Sequence, residues 1–314
     1  LFLEPDRAAE EFDEVFAEEM RAAGNVYLPF LMQGELDPSP DTIVPPFDLQ
    51  MPSPDILKKA TIALDNQDPQ ATNSLQAYAG AKYAIGLNSG TDALWLVFMA
   101  LGVKPGDEII TTSNTFFATA EGIWIAGAKV VFVDSRRDTN NIDPRLIEAK
   151  ITPKTKAIMP VHLYGQAAEM DKIWAIARKH KLAVIEGNAQ AVDSRGAHFK
   201  LMDQSDAMGT SFIIQKNLGC FGDGGALLTN REDIHNRCEA LRNHGSSKRS
   251  HHSYGFNSRL DSIHAAVLSI KLKHITQWSD RRIEVAGMYT KGLKGTGLKL
   301  PTVLKDLVME KLGM

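Results

Sequence analysis

Residues 83–101 read YAIGLNSGTDALWLVFMAL, and this stretch decides the fold class. A short apolar run is followed by a glycine-containing turn and then by a continuous apolar helix pattern. The same alternation of strand and helix patterns continues to about residue 243. Such alternation predicts an α/β fold, in which a mostly parallel central sheet is covered by helices on both faces in three αβα layers. Ligands of such sheets bind at the carboxyl ends of the strands, so the loops that follow strands are the informative ones.

The predicted strands are Tyr83–Leu87, Glu108–Thr112, Lys129–Asp134, Ala157–Val161, Ala183–Glu186, Ala207–Phe212 and Gly225–Thr229. The predicted helices within the same region are Asp92–Leu101, Ala118–Ala126, Pro144–Lys150, Asp171–His180 and Arg231–Arg242.

The sequence predicts three segments. Residues 1–54 form an N-terminal segment, with an acidic helix over Ala8–Ala23 and an extended, proline-rich connector after it. Residues 55–243 form the large domain. Residues 244–314 form a partial C-terminal domain that contains a long helix over Leu260–Trp278.

Composition excludes several classes of protein. Apolar residues make up 44% of the chain and charged residues 23%, which are globular rather than disordered values. Lys and Arg number 35 and Asp and Glu 38, and this net charge of −3 gives no basic footprint for nucleic acid. Because the only cysteines are Cys220 and Cys238 and the acidic N-terminus does not resemble a signal peptide, we predict a cytoplasmic protein. No apolar run approaches the roughly 20 residues that a membrane helix needs.

Two loops after predicted strands carry groups that suit chemistry. The turn Asn88–Asp92 opens a helix, where free backbone N–H groups and the helix dipole favour an anion, although an ordinary N-cap has the same composition. In the loop Ser211–Gly219, Lys216 lies among apolar and glycine residues, where desolvation would favour an amine nucleophile. A solvated surface lysine is the alternative for that position.

Other motifs fail on their context. The Gly222–Ala226 segment is no phosphate-binding loop, because no Gly-Lys-Ser/Thr follows and the segment runs into a strand. His251 and His252 lack further ligands at a metal-binding spacing, so no metal site is predicted. Cys220 has no activating base beside it in sequence, and it is interpreted as a small buried residue.

Taken together, these loops resemble one family, the DegT/DnrJ/EryC1/StrS sugar aminotransferases, which use pyridoxal 5′-phosphate (PLP) on the aspartate-aminotransferase fold, known as fold type I. The resemblance covers residues 78–289. Its landmarks in order are KYAIG (82–86), NSGTDAL (88–94), PGDE (105–108), NTFFAT (114–119), NIDP (141–144), PVHLYGQ (160–166), KNLG (216–219), GDGG (222–225) and FNSRLD (256–261).

The resemblance implies a role for each matching residue. Lys216 matches the catalytic lysine that forms a Schiff base with PLP. Gly90 and Thr91, with Ser89 beside them, match the cradle of the cofactor phosphate, and Ser211 matches a hydroxyl that contacts it.

Three further roles follow from the same resemblance. Phe116 matches the aromatic residue that stacks on the pyridine ring, and Gln190 matches the polar side chain near the phenolic oxygen. Asn257 matches a residue that reaches the phosphate in the neighbouring subunit, which implies a homodimer with shared sites. The implied reaction moves an amino group, usually from glutamate, to a nucleotide-linked keto-deoxy sugar.

The chain departs from the family pattern at one chemically important position. The family motif Glu-Asp-x-x-Gln is here Glu186-Gly187-Asn188-Ala189-Gln190. Its aspartate would pair with the pyridinium nitrogen and make the ring a strong electron sink. Glycine has no side chain for this, so the sequence predicts a PLP site with weakened transamination.

Both ends of the chain also differ from the pattern. The C-terminus stops at Met314, where a complete small domain is expected to continue, and residues 1–44 match nothing in the family. Three functional interpretations therefore stay open. The chain is an active aminotransferase, a PLP-binding protein with little or no activity, or a fragment. Lys216 favours the first two, whereas Gly187 and the short C-terminus favour the last two.

Overall fold

The structure is a computed structural model, and it describes residues 75–76, 78–194, 202–247, 250–298, 300 and 302. The chain divides into two units between residues 51 and 52, and all described residues belong to the second. The helix predicted over Ala8–Ala23 lies outside the described residues.

A seven-stranded sheet forms the centre of the described region, in the order β1-β7-β6-β5-β4-β2-β3. Its strands are β1 (Tyr83–Leu87), β2 (Glu108–Thr112), β3 (Lys129–Val133), β4 (Thr155–Met159), β5 (Ala183–Gly187), β6 (Ala207–Ser211) and β7 (Gly225–Thr229). Strand β7 runs antiparallel to both of its neighbours, and the other adjacent pairs are parallel. The predicted mostly parallel sheet is confirmed. A separate two-stranded hairpin joins β8 (Ser246–Ser247) to β9 (Ser250–His251).

The described helices are α1 (Gly90–Ala100), α2 (Phe117–Ile125), α3 (Met170–His180), α4 (Glu232–Arg242), α5 (Ser262–Lys271) and α6 (Ile275–Gly292). Short 3-10 turns occur at Pro144–Leu146, Glu148–Lys150, Leu163–Gly165 and Leu272–His274.

Side chains alternate across the sheet and build a core on each face. Ile185 and Leu227 join a buried cluster with α1, α2 and α4, and we call this side the α1 face. Val184 packs with Trp174 of α3 on the other side, which we call the α3 face. Met208 and α5 contribute to a further cluster there. The two faces complete the predicted three-layer architecture.

Two predicted helices are partly replaced by 3-10 turns. In both places two buried residues lie three positions apart in the sequence. A 3-10 turn aligns residues three apart on one side. Between 144 and 150 the chain forms two such turns rather than a helix, and Pro144 and Ile147 are both buried. The helix predicted over 260–278 is interrupted at Leu272–His274, and the 3-10 turn keeps Leu272 and Ile275 in the same buried cluster.

Strand β4 ends at Met159, two residues earlier than predicted. The next residue is Pro160, which has no N–H to donate to a ladder. Pairing resumes at one isolated bridge between Val161 and Gly187. Within the described part of the chain, no helix is long and apolar enough to cross a membrane.

Candidate active site

The loops singled out by sequence converge on one edge of the sheet. Strands β2, β4, β5 and β6 are mutually parallel, so the loops that follow them emerge at the same edge. Strand β7 runs the other way, and its register places Gly225 beside both Leu87 at the end of β1 and Ser211 at the end of β6. The N-terminus of α1 therefore lies at this same edge.

Ser211 lies directly against the first residue of α1. A Cβ atom placed on Gly90 would be 2.5 Å from Ser211 Cβ and 3.0 Å from Ser211 Oγ. A Cβ on Gly225 would be 2.3 Å from the backbone oxygen of Ser89. Glycine is therefore required at both positions for the three segments to approach so closely. The structure brings together Ser89, Gly90 and Ser211, three of the residues predicted to hold a phosphate.

The N-terminus of α1 is organised by Asp92. Its backbone N–H donates to the capping Ser89 Oγ at 3.1 Å, and its carboxylate accepts from Ser89 Oγ at 3.0 Å and from Trp95 Nε1 at 3.2 Å. Ser258, which is buried, donates its hydroxyl to the same carboxylate. Sequence analysis did not assign Ser258, although it follows Asn257 in the FNSRLD run.

The loop that carries Lys216 is closed at its base by backbone hydrogen bonds. Phe212 N–H donates to Gly224 O at 2.7 Å, and Ile214 N–H donates to Gly222 O at 3.2 Å. Lys216 is half-buried, and among the described residues its Nζ makes no hydrogen bond or ion pair. The lysine is thus held on a closed loop that starts at Ser211, with its amine available.

A second lysine stabilises that loop from behind. Lys271 of α5 donates its ammonium to Gly219 O, and burial lowers the pKa of Lys271. The Cys220 thiol next in sequence contacts Phe212 O at 3.1 Å, and burial raises the pKa of this thiol. Cys220 is fully buried, which confirms its interpretation as a small core residue. The apolar periodicity of α5 did not predict this contact, because Lys271 and Gly219 are 52 positions apart in the sequence.

The remaining predicted residues occupy the same edge in separate loops. Phe116 follows β2 and is 71% exposed, so its ring presents a free aromatic surface. Gln190 follows β5, and its Oε1 accepts from the backbone N–H of Tyr164 at 2.7 Å. Asn257 is exposed and forms an isolated bridge with Asn243. Their predicted contacts with PLP stay predictions.

Gly187 ends β5 on the α1 face, the side on which Ser211 meets α1. Its neighbour Glu186 points to the α3 face, is fully buried, and bonds to His162 at 2.9 Å. Glu186 is therefore committed to the core and cannot replace a carboxylate at position 187. A Cβ on Gly187 would be 3.2 Å from Val161 Cγ2, which is tight but requires only a small movement of that side chain.

Three amide side chains in these loops, of which Asn188 is fully buried, have buried polar atoms without a protein partner among the described residues. They are both polar atoms of Asn188, Oδ1 of Asn217 and Nε2 of Gln166. Asn188 follows β5, Asn217 follows Lys216, and Gln166 follows β4. Buried polar groups are usually hydrogen-bonded, so these atoms can accept or donate to a polar ligand or to ordered water. No sequence pattern predicts these buried atoms, because burial depends on the tertiary fold.

A metal site finds no support in the described region. No group of three or more His, Cys, Asp or Glu residues there is placed to hold a metal ion. A cavity of about 380 Å³ lies at the opposite edge of the sheet, beside Ala183 at the start of β5 and Ala157 of the adjacent β4. None of the predicted site residues lines this cavity.

Comparison with known proteins gives consistent results. The sequence model of the DegT/DnrJ/EryC1/StrS aminotransferase family matches residues 55–309. A Geobacillus stearothermophilus protein named pleiotropic regulatory protein is 45% identical over 241 residues, covering 76% of this chain and 65% of the relative. The UDP-2-acetamido-2-deoxy-3-oxo-D-glucuronate aminotransferase of Pseudomonas aeruginosa is 43% identical, covering 79% of this chain and 69% of the relative.

A solved aminotransferase structure also resembles this chain. DesV of Streptomyces venezuelae, determined in complex with a ketimine intermediate, superimposes with a TM-score of 0.77 at 40% identity. That match covers 80% of this chain and 70% of DesV. The chain thus spans about two thirds of the length of the relatives that it matches.

Proposed function

The chain belongs to the DegT/DnrJ/EryC1/StrS aminotransferase family, and from this membership we propose that it transfers an amino group to a nucleotide-linked keto-deoxy sugar, with glutamate as the donor. Members of this family depend on PLP. The observation that carries the proposal is the contact of Gly90 with Ser211, five residues before Lys216 on the same closed loop. It supports a phosphate site and a reactive amine at one edge of the sheet.

The residues present fit PLP at the phosphate end. A phosphate dianion suits a helix N-terminus with free N–H groups, and Gly90 lets Ser211 approach that terminus at a distance that any Cβ would prevent. The unpartnered amides of Asn188 and Asn217 also suit a polar ligand. At the ring end the fit is incomplete, because Gly187 supplies no carboxylate.

We assign the following work to the chain's own residues. Ser89, Gly90, Thr91 and Ser211 bind the phosphate and fix the position of the cofactor. Lys216 holds its amine at the reacting carbon and moves a proton there. PLP, when bound, supplies an electrophilic aldehyde and an electron sink.

The other predicted residues orient and cover the reacting group. Phe116 offers an exposed ring face that would cover the pyridine and exclude water. Gln190, whose oxygen is fixed by Tyr164, would direct its amide nitrogen to the phenolic oxygen.

We further propose a homodimer in which Asn257 serves the partner's site. Asn257 is exposed, while Ser258 beside it is fixed to Asp92. Large exposed hydrophobic side chains support an interface, among them Trp124 at 74% and Tyr254 at 99% exposure.

Mixed dimers test this arrangement. K216A and N257A are prepared separately, unfolded together and refolded. Random reassortment gives about half mixed dimers with one complete site of two, so about a quarter of wild-type activity should return. No recovery in a refolded mixture of confirmed dimers would contradict shared sites.

Turnover is the direct test of the proposed reaction. The chain is incubated with PLP, glutamate and a UDP- or dTDP-linked 3-keto sugar, and formation of 2-oxoglutarate is followed, with K216A as the control. Lysine-dependent 2-oxoglutarate formation supports the aminotransferase. Failure with every keto sugar, together with tight PLP binding, supports the alternative below. We also propose, as the sequence predicts, that the protein works in the cytoplasm.

A second function is favoured by one observation, the absence of a carboxylate at position 187. A PLP-binding protein with little transaminase activity would keep Lys216 and the phosphate cradle and lack the pyridinium partner. The name of the Geobacillus stearothermophilus relative, pleiotropic regulatory protein, is compatible with such a role. Measuring turnover before and after G187D distinguishes the two functions.

A further inference from the structure

A fully buried His–Glu pair lies on the α3 face, directly behind the loops of the candidate site. Both His162 and Glu186 are 0% exposed, and His162 Nε2 lies 2.9 Å from Glu186 Oε2. The other carboxylate oxygen accepts from Met202 N–H at 2.9 Å and from the Ser205 hydroxyl. Glu186 therefore accepts hydrogen bonds from three donors inside the protein.

The partners of His162 fix its tautomer. Its Nδ1 accepts from the backbone N–H of Ala168 at 3.1 Å, so the ring hydrogen lies on Nε2 and is donated to Glu186. The imidazole thus joins two segments, the loop after β4 and the end of β5. An apolar side chain could neither donate to Glu186 nor accept from Ala168.

This pair lies where the β4–β5 ladder is interrupted. Regular pairing covers Ala157 with Ala183 and Ile158 with Val184, and Pro160 then lacks an N–H. After Pro160, the described backbone hydrogen bonds between this segment and β5 all involve Gly187. His162 N–H donates to Gly187 O at 3.0 Å, and Gly187 N–H donates to Pro160 O at 2.8 Å.

The segments joined in this way carry the ring end of the candidate site. Gly187 faces the α1 side, and Gln190 accepts from Tyr164 two residues beyond His162. A shift of the loop after β4 against β5 would move Tyr164 and hence Gln190. The backbone at Tyr164 has a φ of 56°, a left-handed conformation that needs support from its surroundings.

We propose that His162 and Glu186 are positioning residues of the PLP site. The pair compensates for the ladder bond lost at Pro160 and holds Gly187 and Gln190 against the loop after β4. For its effect on cofactor binding the inference rests on the proposed function, whereas its effect on the two loops does not.

The test uses His162→Leu, which removes both hydrogen bonds, and His162→Gln, whose amide retains one donor and one acceptor. Ile158→Val is the matched control, because Ile158 is equally buried on the same face and its apolar side chain neither donates nor accepts a hydrogen bond. Amide hydrogen exchange is measured by mass spectrometry on the full chain without cofactor. In H162L, peptides spanning 162–168 and 186–191 should exchange about tenfold faster than in I158V. In H162Q the increase should be smaller.

The second readout is PLP binding, followed by the absorbance band that requires Lys216. H162L should weaken PLP binding about tenfold, and H162Q should lie within about threefold of the wild type. Equal exchange and equal affinity in H162L and I158V would overturn the proposal. If H162L does not fold, Ser205→Ala, which removes one donor to Glu186 and also the acceptor of Trp174 Nε1, is compared with I158V by the same criteria. If the wild type binds no PLP, the proposed function fails and the exchange measurement still decides the positioning role.

Discussion

Replacing Gly90 with alanine should disrupt the contact that defines the phosphate site. The new Cβ would lie 2.5 Å from Ser211 Cβ and 3.0 Å from Ser211 Cα. Carbon atoms prefer about 3.5–4.0 Å, so the overlap is about 1 Å and involves backbone as well as side chain. Overpacking of this kind costs about 1–3 kcal/mol of stability. At about 2–4 °C per kcal/mol for a domain of this size, the loss is measurable as a lower Tm.

Binding of PLP should suffer as well. Moving Ser211 from the N-terminus of α1 removes about one hydrogen bond to a charged phosphate, worth about 1.5–3 kcal/mol. That corresponds to a Kd weaker by about 10- to 140-fold, since about 1.4 kcal/mol is a factor of ten. The assay is a PLP titration of G90A and wild type by absorbance, alongside thermal unfolding of both.

Two further variants make the test specific. Gly287 lies in α6 with nothing near its added Cβ, so G287A should be neutral or gain about 0.5–1 kcal/mol. The double variant G90A/S211G removes two of the three clashing atoms and should recover stability without recovering affinity. If G90A had the Tm and PLP affinity of wild type, the close approach of these two segments would be refuted.

Three other predictions have defined outcomes. G187D should raise turnover at least about tenfold over wild type and over the G187A control, because it adds the acidic partner of the ring nitrogen at the cost of a small shift of Val161; a flat rate would contradict the predicted weakening. S258A should lose about 1.5–3 kcal/mol in urea unfolding, as the Asp92 carboxylate loses a buried donor. Burial raises the pKa of Cys238 to about 12, so at pH 8 a thiol reagent should label it only after unfolding, and rapid native labelling would show that it is accessible.

The sheet was predictable because its strands are short, apolar and separated by clear turn and helix patterns. β1, β2 and β7 occur with the predicted bounds. The 3-10 turns at 144–150 and 272–274 were not predictable, because short apolar spacings fit a helix and a 3-10 turn equally well.

Residues of the candidate site could be predicted from the sequence only where a loop carries its own signal, and their roles stay predictions. Lys216 and the Ser89–Thr91 turn stand out from their local composition. Ser258, Lys271 and the His162–Glu186 pair do not, because their importance comes from partners far away in sequence. Ser258, for example, bonds to Asp92 across 166 positions.

The central claim is that this edge of the sheet binds PLP through Lys216. The most direct measurement is the visible absorption spectrum of the purified chain with PLP, compared with K216A under the same conditions. We expect a band in the wild type that K216A lacks and that declines when glutamate is added. The same spectrum for both proteins, equal to that of free PLP, would contradict the claim.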